Sequence, residues 1–509
     1  LGKRQAGSIQ EGGCVSIARL ASLLFALAVY FPEAAGQEPS TPSSTERPNV
    51  LLLVIDDLNT DLGAYGHELV RTPHIDRLAG RGVTFTRAYT QYPQCNQSRA
   101  SFLTSQYPEQ LQVLSLKEHV RDSQPNVVTL PQHFRNNGYF TARVGKIFHQ
   151  GVPPEIGQDG LDDAASWDLA INPAGVDIEV DEMIVSIVPP EQDKRKFGGT
   201  LSWLRLDSDE AHTDEAGAAE AIRLLGDLHP GKTGQPLFLA LGFFRPHTPY
   251  VAPGRFFDLY PPSAIDLPQV PAGDREGKPV AALADRRFQA GMTEQQKRLA
   301  TQAYYASISF VDEQVGKVLD ALDATGLAKN TVVLLVSDHG YQLGSHGLWQ
   351  KKDLFENSLR SPMVLVAPNR LPGGIRSDVL VELTDIYPTL VALSGLDKPD
   401  TPIEGMNLLP VLEGSAPSRK AAFSQSWSAA HLVRPERRGM EVMGYTIRTG
   451  RYRYTEWSRG KEGIELYDYQ EDPFEYLNLA GNASYAAIQD DLASRLDEKL
   501  MSIGSGRPD

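Results

Sequence analysis

Three apolar runs without polar alternation punctuate the chain. Residues 49–55 (N-V-L-L-L-V-I) end in Asp56 and Asp57. Residues 236–243 lead through Phe244 into Arg245, Pro246 and His247. Residues 331–337 (T-V-V-L-L-V-S) end in Asp338 and His339. Short continuous runs rich in Val and Ile predict strands buried on both faces of a parallel sheet. A fourth apolar patch, 139–144, leads to Lys146 and marks another candidate strand end. Helical periodicity fills the intervals at 73–81, 128–136, 215–228, 293–325 and 382–395, with Gly395 as a stop. Strands alternating with helices predict an α/β fold, a large, mostly parallel sheet flanked by helices. Beyond about residue 425 the pattern changes. Residues 445–455 predict a hairpin turning at Thr449-Gly450, 464–467 another strand, and 484–503 an amphipathic helix. The expectation there is a smaller C-terminal subdomain of antiparallel sheet plus one helix.

The N-terminus follows a different pattern. Lys3, Arg4 and Arg19 precede a twelve-residue apolar run, 20–31, and P-E-A-A-G-Q follows it. Spanning a bilayer takes about 20 such residues. The segment therefore predicts a secretory signal peptide, 1–36, and an exported product, periplasmic or secreted, with no membrane span after cleavage. Residues 37–47 read as a Pro/Ser/Thr linker, 48–424 as the main α/β domain and 425–509 as the C-terminal subdomain.

Composition narrows the function. Forty-nine Lys and Arg against 64 Asp and Glu leave a net charge of −15 over 509 residues, which argues against a nucleic-acid or anionic-membrane partner. An anionic substrate must be met by a local basic pocket. The two cysteines, Cys14 and Cys95, exclude a disulfide framework and a cysteine-based zinc cage.

In open α/β sheets ligands bind beyond the carboxyl ends of the strands, so Asp56, Asp57, Asp338, His339 and His247 are expected to converge. Three carboxylates in one partly buried site call for compensation, and Ca²⁺ or Mg²⁺ prefers such oxygen ligands. Cys95 precedes a helix expected to begin near Ser98, in positive potential. A nucleophilic thiolate and a buried inert thiol both fit that placement. Lys146, His149, His247, Lys351 and Lys352 are basic groups in loops, each of which could equally be a solvated surface residue.

These motifs, taken in order, resemble the formylglycine-dependent sulfatases of the alkaline-phosphatase superfamily, most of all the iduronate-2-sulfatase group. The likeness runs from about Pro48 to Ala480. It rests on N-V-L-L-L-V-I-D-D-L, C-N-Q-S-R-A-S-F-L-T-S, G-Y-F-T-A-R-V-G-K-I-F-H, F-F-R-P-H-T-P-Y, V-S-D-H-G-Y-Q-L-G-S-H-G-L-W-Q-K and L-Y-D-Y-Q-E-D-P-F-E-Y-L-N-L-A. The resemblance implies that Cys95 is converted by a formylglycine-generating or other maturation enzyme to 3-oxoalanine, whose hydrate attacks sulfur. It implies one Ca²⁺ held by Asp56, Asp57, Asp338, His339 and the modified Cys95. Arg99 and Lys146 would stabilise the ionised diol, His149 would be the nearby base, and His247 and Lys351 would hold the sulfate. His247 is also the candidate acid for the leaving alcohol, and the substrate would be a sulfated carbohydrate. Four positions depart from the pattern: Gln97 for Pro or Ala, Ser105 for Gly, Phe244 for a second His, and Ser345 for an acidic residue. Two other readings stand beside this one: a sulfated-glycan-binding protein with unmodified Cys95, and a phosphatase or phosphodiesterase of the same superfamily.

Overall fold

The computed structural model describes residues 47–504 except 179, 181, 189–200, 286–288, 290 and 430–441. The expected signal peptide and residues 37–46 of the linker lie outside the described residues.

Eight strands form the main sheet: β1 (Asn49–Ile55), β2 (Val83–Tyr89), β3 (Phe140–Gly145), β4 (Leu169–Ile171), β5 (Leu237–Phe243), β6 (Thr331–Ser337), β7 (Arg360–Val366) and β8 (Ile375–Glu382). Their order is β8-β2-β7-β6-β1-β5-β3-β4. β1 pairs in parallel with β5 and β6, and β7 runs antiparallel to both its neighbours. The mostly parallel sheet expected from the pattern is present, with β7 the reversed strand. All seven residues of β1, β5 and β6 are buried, as unalternating runs require.

Alternate residues of β1 serve opposite faces. Leu51, Leu53 and Ile55 join one core, covered by α1 (Pro73–Ala79), α4 (Thr213–Asp227) and the long α5 (Glu294–Ala324). Val50, Leu52 and Val54 join the other, covered by α2 (Cys95–Thr104), α3 (Leu130–Asn136) and α6 (Ile386–Leu393). Full burial of each such side chain contributes about 1.5–3 kcal/mol, so the two-sided core makes this sheet a stiff platform.

Register places the strand ends together. Ile55 lies opposite Phe243 on one side and Ser337 on the other, while Gly145 lies opposite Gly242. The residues that follow, Asp56, Lys146 and Asp338, therefore leave the sheet at one level.

The C-terminal sheet is antiparallel, β9 (Ala421–Trp427), β10 (Met443–Thr449), β11 (Tyr452–Trp457) and β12 (Ile464–Asp468). The β10–β11 turn, expected at Thr449-Gly450, is made by Gly450-Arg451, since Thr449 still belongs to β10 and Tyr452 opens β11. Helix α7 (Ala486–Ser502) lays Leu492, Leu496 and Leu500 on Ile447, Tyr454 and Leu466 of this sheet. Among the described residues no helix is long and apolar enough to cross a membrane.

Candidate active site

Helix α2 begins at Cys95, not near Ser98, because Gln94 is already the extended residue that precedes the first turn. The sulfur thus sits directly at the helix N-terminus, where free backbone N–H groups favour negative charge. One turn on, the fully buried Arg99 ties three strand ends together. Its Nη2 lies 3.0 Å from Asp56 Oδ1 and its Nε 2.9 Å from Asp338 Oδ2. Its Nη1 donates to the carbonyls of Lys146 (2.5 Å) and Ile147 (3.0 Å). Ser98 donates its hydroxyl to the Asp338 carbonyl and accepts from Thr90 at 2.9 Å.

Asp57 has φ +62, a left-handed conformation that Asp tolerates better than most residues. Its N–H donates to Asp338 Oδ1 (3.2 Å), and its carbonyl accepts the Tyr304 hydroxyl (2.7 Å). So held, the Asp57 carboxylate faces the sulfur. Lys351 Nζ pairs with Asp57 Oδ1 and lies 3.1 Å from Cys95 Sγ. Lys146 Nζ lies 2.6 Å from Asp56 Oδ2. His339 Nε2 is 3.4 Å from Asp57 Oδ1 and 3.6 Å from Sγ, and His247 Nε2 is 3.8 Å from Asp57 Oδ2. Hydrogen bonding from His149 and His247 favours the ionised form of the sulfur. Every residue that the resemblance assigns to the site therefore lies in one buried cluster; the most open, His149, His247 and Lys351, are each 7% exposed, whereas Lys352 is only half-buried.

Charge in the cluster follows from burial and neighbours. Burial alone would raise the Cys95 thiol, but Lys146 and Lys351 outweigh it and hold the thiol well below its usual value. Burial, reinforced by Cys95 and Asp56, pushes Asp338 up to about 7 despite His339 and Arg99. Burial opposes charging His339, yet Asp338 lifts it to about 9. Burial lowers His149, so its neutral ring is the form present near neutral pH.

The donors suit a hard cation. His339 Nδ1–H donates to the Gly340 carbonyl (2.8 Å), which fixes the tautomer and turns the Nε2 lone pair into the cluster. Asp57 Oδ2 is buried without a hydrogen-bond donor. Ligand atoms of Asp56, Asp57, Cys95 and His247 lie within 4.8 Å of one another, as do those of Cys95, Asp338 and His339. An orphaned carboxylate oxygen among three aspartates is what a divalent cation with oxygen preference would satisfy.

The sequence profile of the sulfatases matches residues 48–396, and that of the N-sulphoglucosamine sulphohydrolase C-terminal region matches 344–502. The chain belongs to the sulfatase family. It is a sulfuric ester hydrolase. Its relatives include iduronate 2-sulfatase of Mus musculus, 34% identical with 82% of this chain and 85% of that one covered. The Homo sapiens iduronate 2-sulfatase is 32% identical, with 83% and 87% covered. Among solved structures, the phosphonate monoester hydrolase of Agrobacterium radiobacter superposes with a TM-score of 0.70 at 25% identity, covering 90% of this sulfatase and 96% of its own chain.

The four departures have physical counterparts in this sulfatase. Gln97 is fully buried and donates to the Leu114 carbonyl (2.8 Å) and to Gln94 Oε1 (3.1 Å). Ser105 ends α2 at φ +56, and its hydroxyl donates to Thr384 O (2.8 Å) and accepts Gly405 N–H (3.0 Å). Phe244 is buried against Val152 and Ile156. Ser345 accepts from Asn357 at 3.1 Å. Sequence reasoning missed Tyr304, Ser98 and Ser337, which hold the ligating segments from behind. They lie inside helices or a strand, where Ser or Tyr reads as ordinary filling.

Proposed function

We propose that this sulfatase is an exported enzyme that removes sulfate from a sulfated sugar, in the manner of the iduronate 2-sulfatases it resembles. In this reading Cys95 is matured to 3-oxoalanine and one Ca²⁺ is bound. The observation that carries it is Cys95 at a helix N-terminus, facing three aspartates and flanked by Lys146, Lys351, His149 and His247. The two-part organisation is retained with it, with the boundary expected at 424/425 moved ahead of β9 (Ala421–Trp427), which belongs to the C-terminal sheet.

Asp56, Asp57, Asp338 and His339, with the group at position 95, would hold the ion. A hydrated 3-oxoalanine at position 95 would supply the nucleophilic hydroxyl and a second hydroxyl for release of sulfate, and a bound Ca²⁺ would supply Lewis acidity. Lys351 and His247 bind the sulfate oxygens, and Lys146 with Arg99 keeps the local potential positive in an acidic protein. His149, neutral through burial, accepts a proton from the group at position 95. His247 Nδ1–H donates to Thr248 O at 2.6 Å, so it is the imidazolium form that carries a second proton on Nε2, near Asp57; Nε2–H gives that proton to the leaving alcohol and leaves the neutral ring.

One observation favours a second reading. Gln97 occupies the signature position and is locked into the fold, which suits a glycan-binding protein that keeps Cys95 as a thiolate. Peptide mass spectrometry of residues 88–99 from the native host separates the two. Conversion lowers the peptide by roughly 18 Da, a covalent change at one side chain. That loss, together with sulfate release from a 2-O-sulfated iduronate disaccharide, is the expected result. Intact cysteine with disaccharide binding and no release would move the assignment to the binding protein.

A further inference from the structure

Asp214, in the first turn of α4, lies outside the cluster yet is only 3% exposed. Its Oδ1 accepts the N–H of Phe244 at 2.8 Å and its Oδ2 accepts the N–H of Arg245 at 2.9 Å. One carboxylate thus grips two successive peptide groups of the turn that carries His247. The same turn is held from its other side. Arg245, fully buried, extends Nη2 to Asp177 Oδ2 at 2.5 Å. Asp177 Oδ1 in turn accepts the N–H and the hydroxyl of Thr213, both at 2.7 Å. His247 N–H closes the turn on Phe244 O at 3.0 Å, and its ring is oriented by Thr248 O.

This arrangement is expensive. Two carboxylates are buried near one guanidinium that pairs with Asp177 alone, and burial pushes Asp214 up to about 7 against the field of Arg245 and its two peptide N–H bonds. Packing alone would be served as well by an uncharged residue, since burying carboxylates is costly unless they hold something in place. What both carboxylates hold is the segment Phe244–His247.

We infer that Asp214, seconded by Asp177 through Arg245, is a positioning residue that fixes the His247 ring against Asp57 and position 95. This rests on His247 being the proton donor to the leaving alcohol, as proposed above. Misplacing such a group by about 1 Å costs on the order of 100-fold in rate, and the loss falls on substrates whose leaving group needs the proton.

The test is a double-mutant cycle in matured enzyme, with a sugar sulfate as the poor leaving group and para-nitrophenyl sulfate as the good one. Asp214→Asn keeps the side chain's shape and one acceptor. It is expected to lower kcat on the sugar sulfate by about 100-fold and on the aryl sulfate by less than about 10-fold, while KM rises alike for both because His247 also contacts the sulfate. His247→Ala should show the same leaving-group dependence, and the double variant should be no slower than His247→Ala alone. If Asp214→Asn slows both substrates equally, or if the two effects multiply, Asp214 is a structural residue and the inference is wrong. His247→Ala without leaving-group dependence would overturn the role of His247 itself, a failure visible in that single variant. Should Asp214→Asn fail to fold, Asp177→Asn must show the same selective loss, and its absence sinks the inference.

Discussion

At the scale of single residues, the site sets three carboxylates, Asp56, Asp57 and Asp338, against Arg99, Lys146, Lys351 and, below about pH 9, His339. Arg99 spends its hydrogen bonds on Asp56, Asp338 and two carbonyls, while Lys351 reaches the sulfur. Cys95→Ala is therefore expected to abolish sulfate release while leaving the fold intact, checked by turnover and circular dichroism. Lys351→Gln, which keeps length but removes charge, should cost about 10²–10³ in kcat, the range for losing one charge-stabilising group. Cation binding has a definite pH sign. The folded site holds protons on Asp338 to about 7 and on His339 to about 9, and both must leave when the ion is ligated. Calcium affinity should accordingly rise with pH from 6 to 8, seen as a larger Ca²⁺-induced gain in Tm at pH 8. A Tm that ignores both Ca²⁺ and chelator would rule out the ion. At this scale the sequence was legible because each strand-end residue is an ionisable group at a conspicuous break. Asp214 was illegible because an Asp in a helix's first turn is a common cap, and its real partners, the Phe244 and Arg245 amides, lie some thirty residues away.

At the scale of elements, the fully buried strands β1, β5 and β6 were legible because both faces are covered and the runs are unbroken. β2, β7 and β8 were not distinguished. β2 mixes polar Thr84, Thr86 and Arg87 into its run, β7 carries Pro362, and β8 starts with exposed residues. The end predicted as helix from residue 382 is the last residue of β8, with α6 starting only at Ile386, because Glu382 is held by β2 pairing and by Arg419. Close approach of elements also makes a prediction. A Cβ at Gly242 of β5 would collide with the carbonyl oxygen of Lys146. Gly242→Ala is expected to displace the start of the Lys146–His149 loop and cost about 2–4 kcal/mol, in the range of core overpacking and backbone strain, read by urea unfolding, with kcat falling alongside. A second prediction concerns α5 against α1. Asp312 accepts the N–H groups of His74 (3.2 Å) and Ile75 (2.8 Å), and burial raises it to about 7. The folded state keeps its proton longer than the unfolded chain does. The stability this contributes is complete below the unfolded value near 3.8 and is lost as pH rises through 7. The stability of wild type relative to Asp312→Asn should therefore fall by about 3 kcal/mol between pH 5 and pH 9. A pH-independent difference would mean the carboxyl ionises normally.

At the scale of the whole molecule, a net charge of −15 opposes an anionic substrate at long range, while Lys146, Lys351 and Arg99 attract it at short range. The two fields respond differently to salt. Repulsion acts through solvent and is screened over about 30 Å at 0.01 M ionic strength but about 8 Å at 0.15 M. The cations are buried beside their partners and are screened far less. A sulfated disaccharide presents only a few charges to the distant field, whereas a long sulfated polysaccharide presents many. Raising salt from low to physiological strength is thus expected to increase kcat/KM for the polysaccharide, or leave it level, while lowering it modestly for the disaccharide. Steady-state rates on a size-graded series of sulfated oligosaccharides would measure this. If affinity for the polymer instead fell steeply with salt, a basic track outside the pocket would have to exist, and the globally acidic surface would not be what the substrate meets. The sign of that salt effect separates an enzyme that admits single chain ends into a charged pocket from one that captures a polymer along its surface.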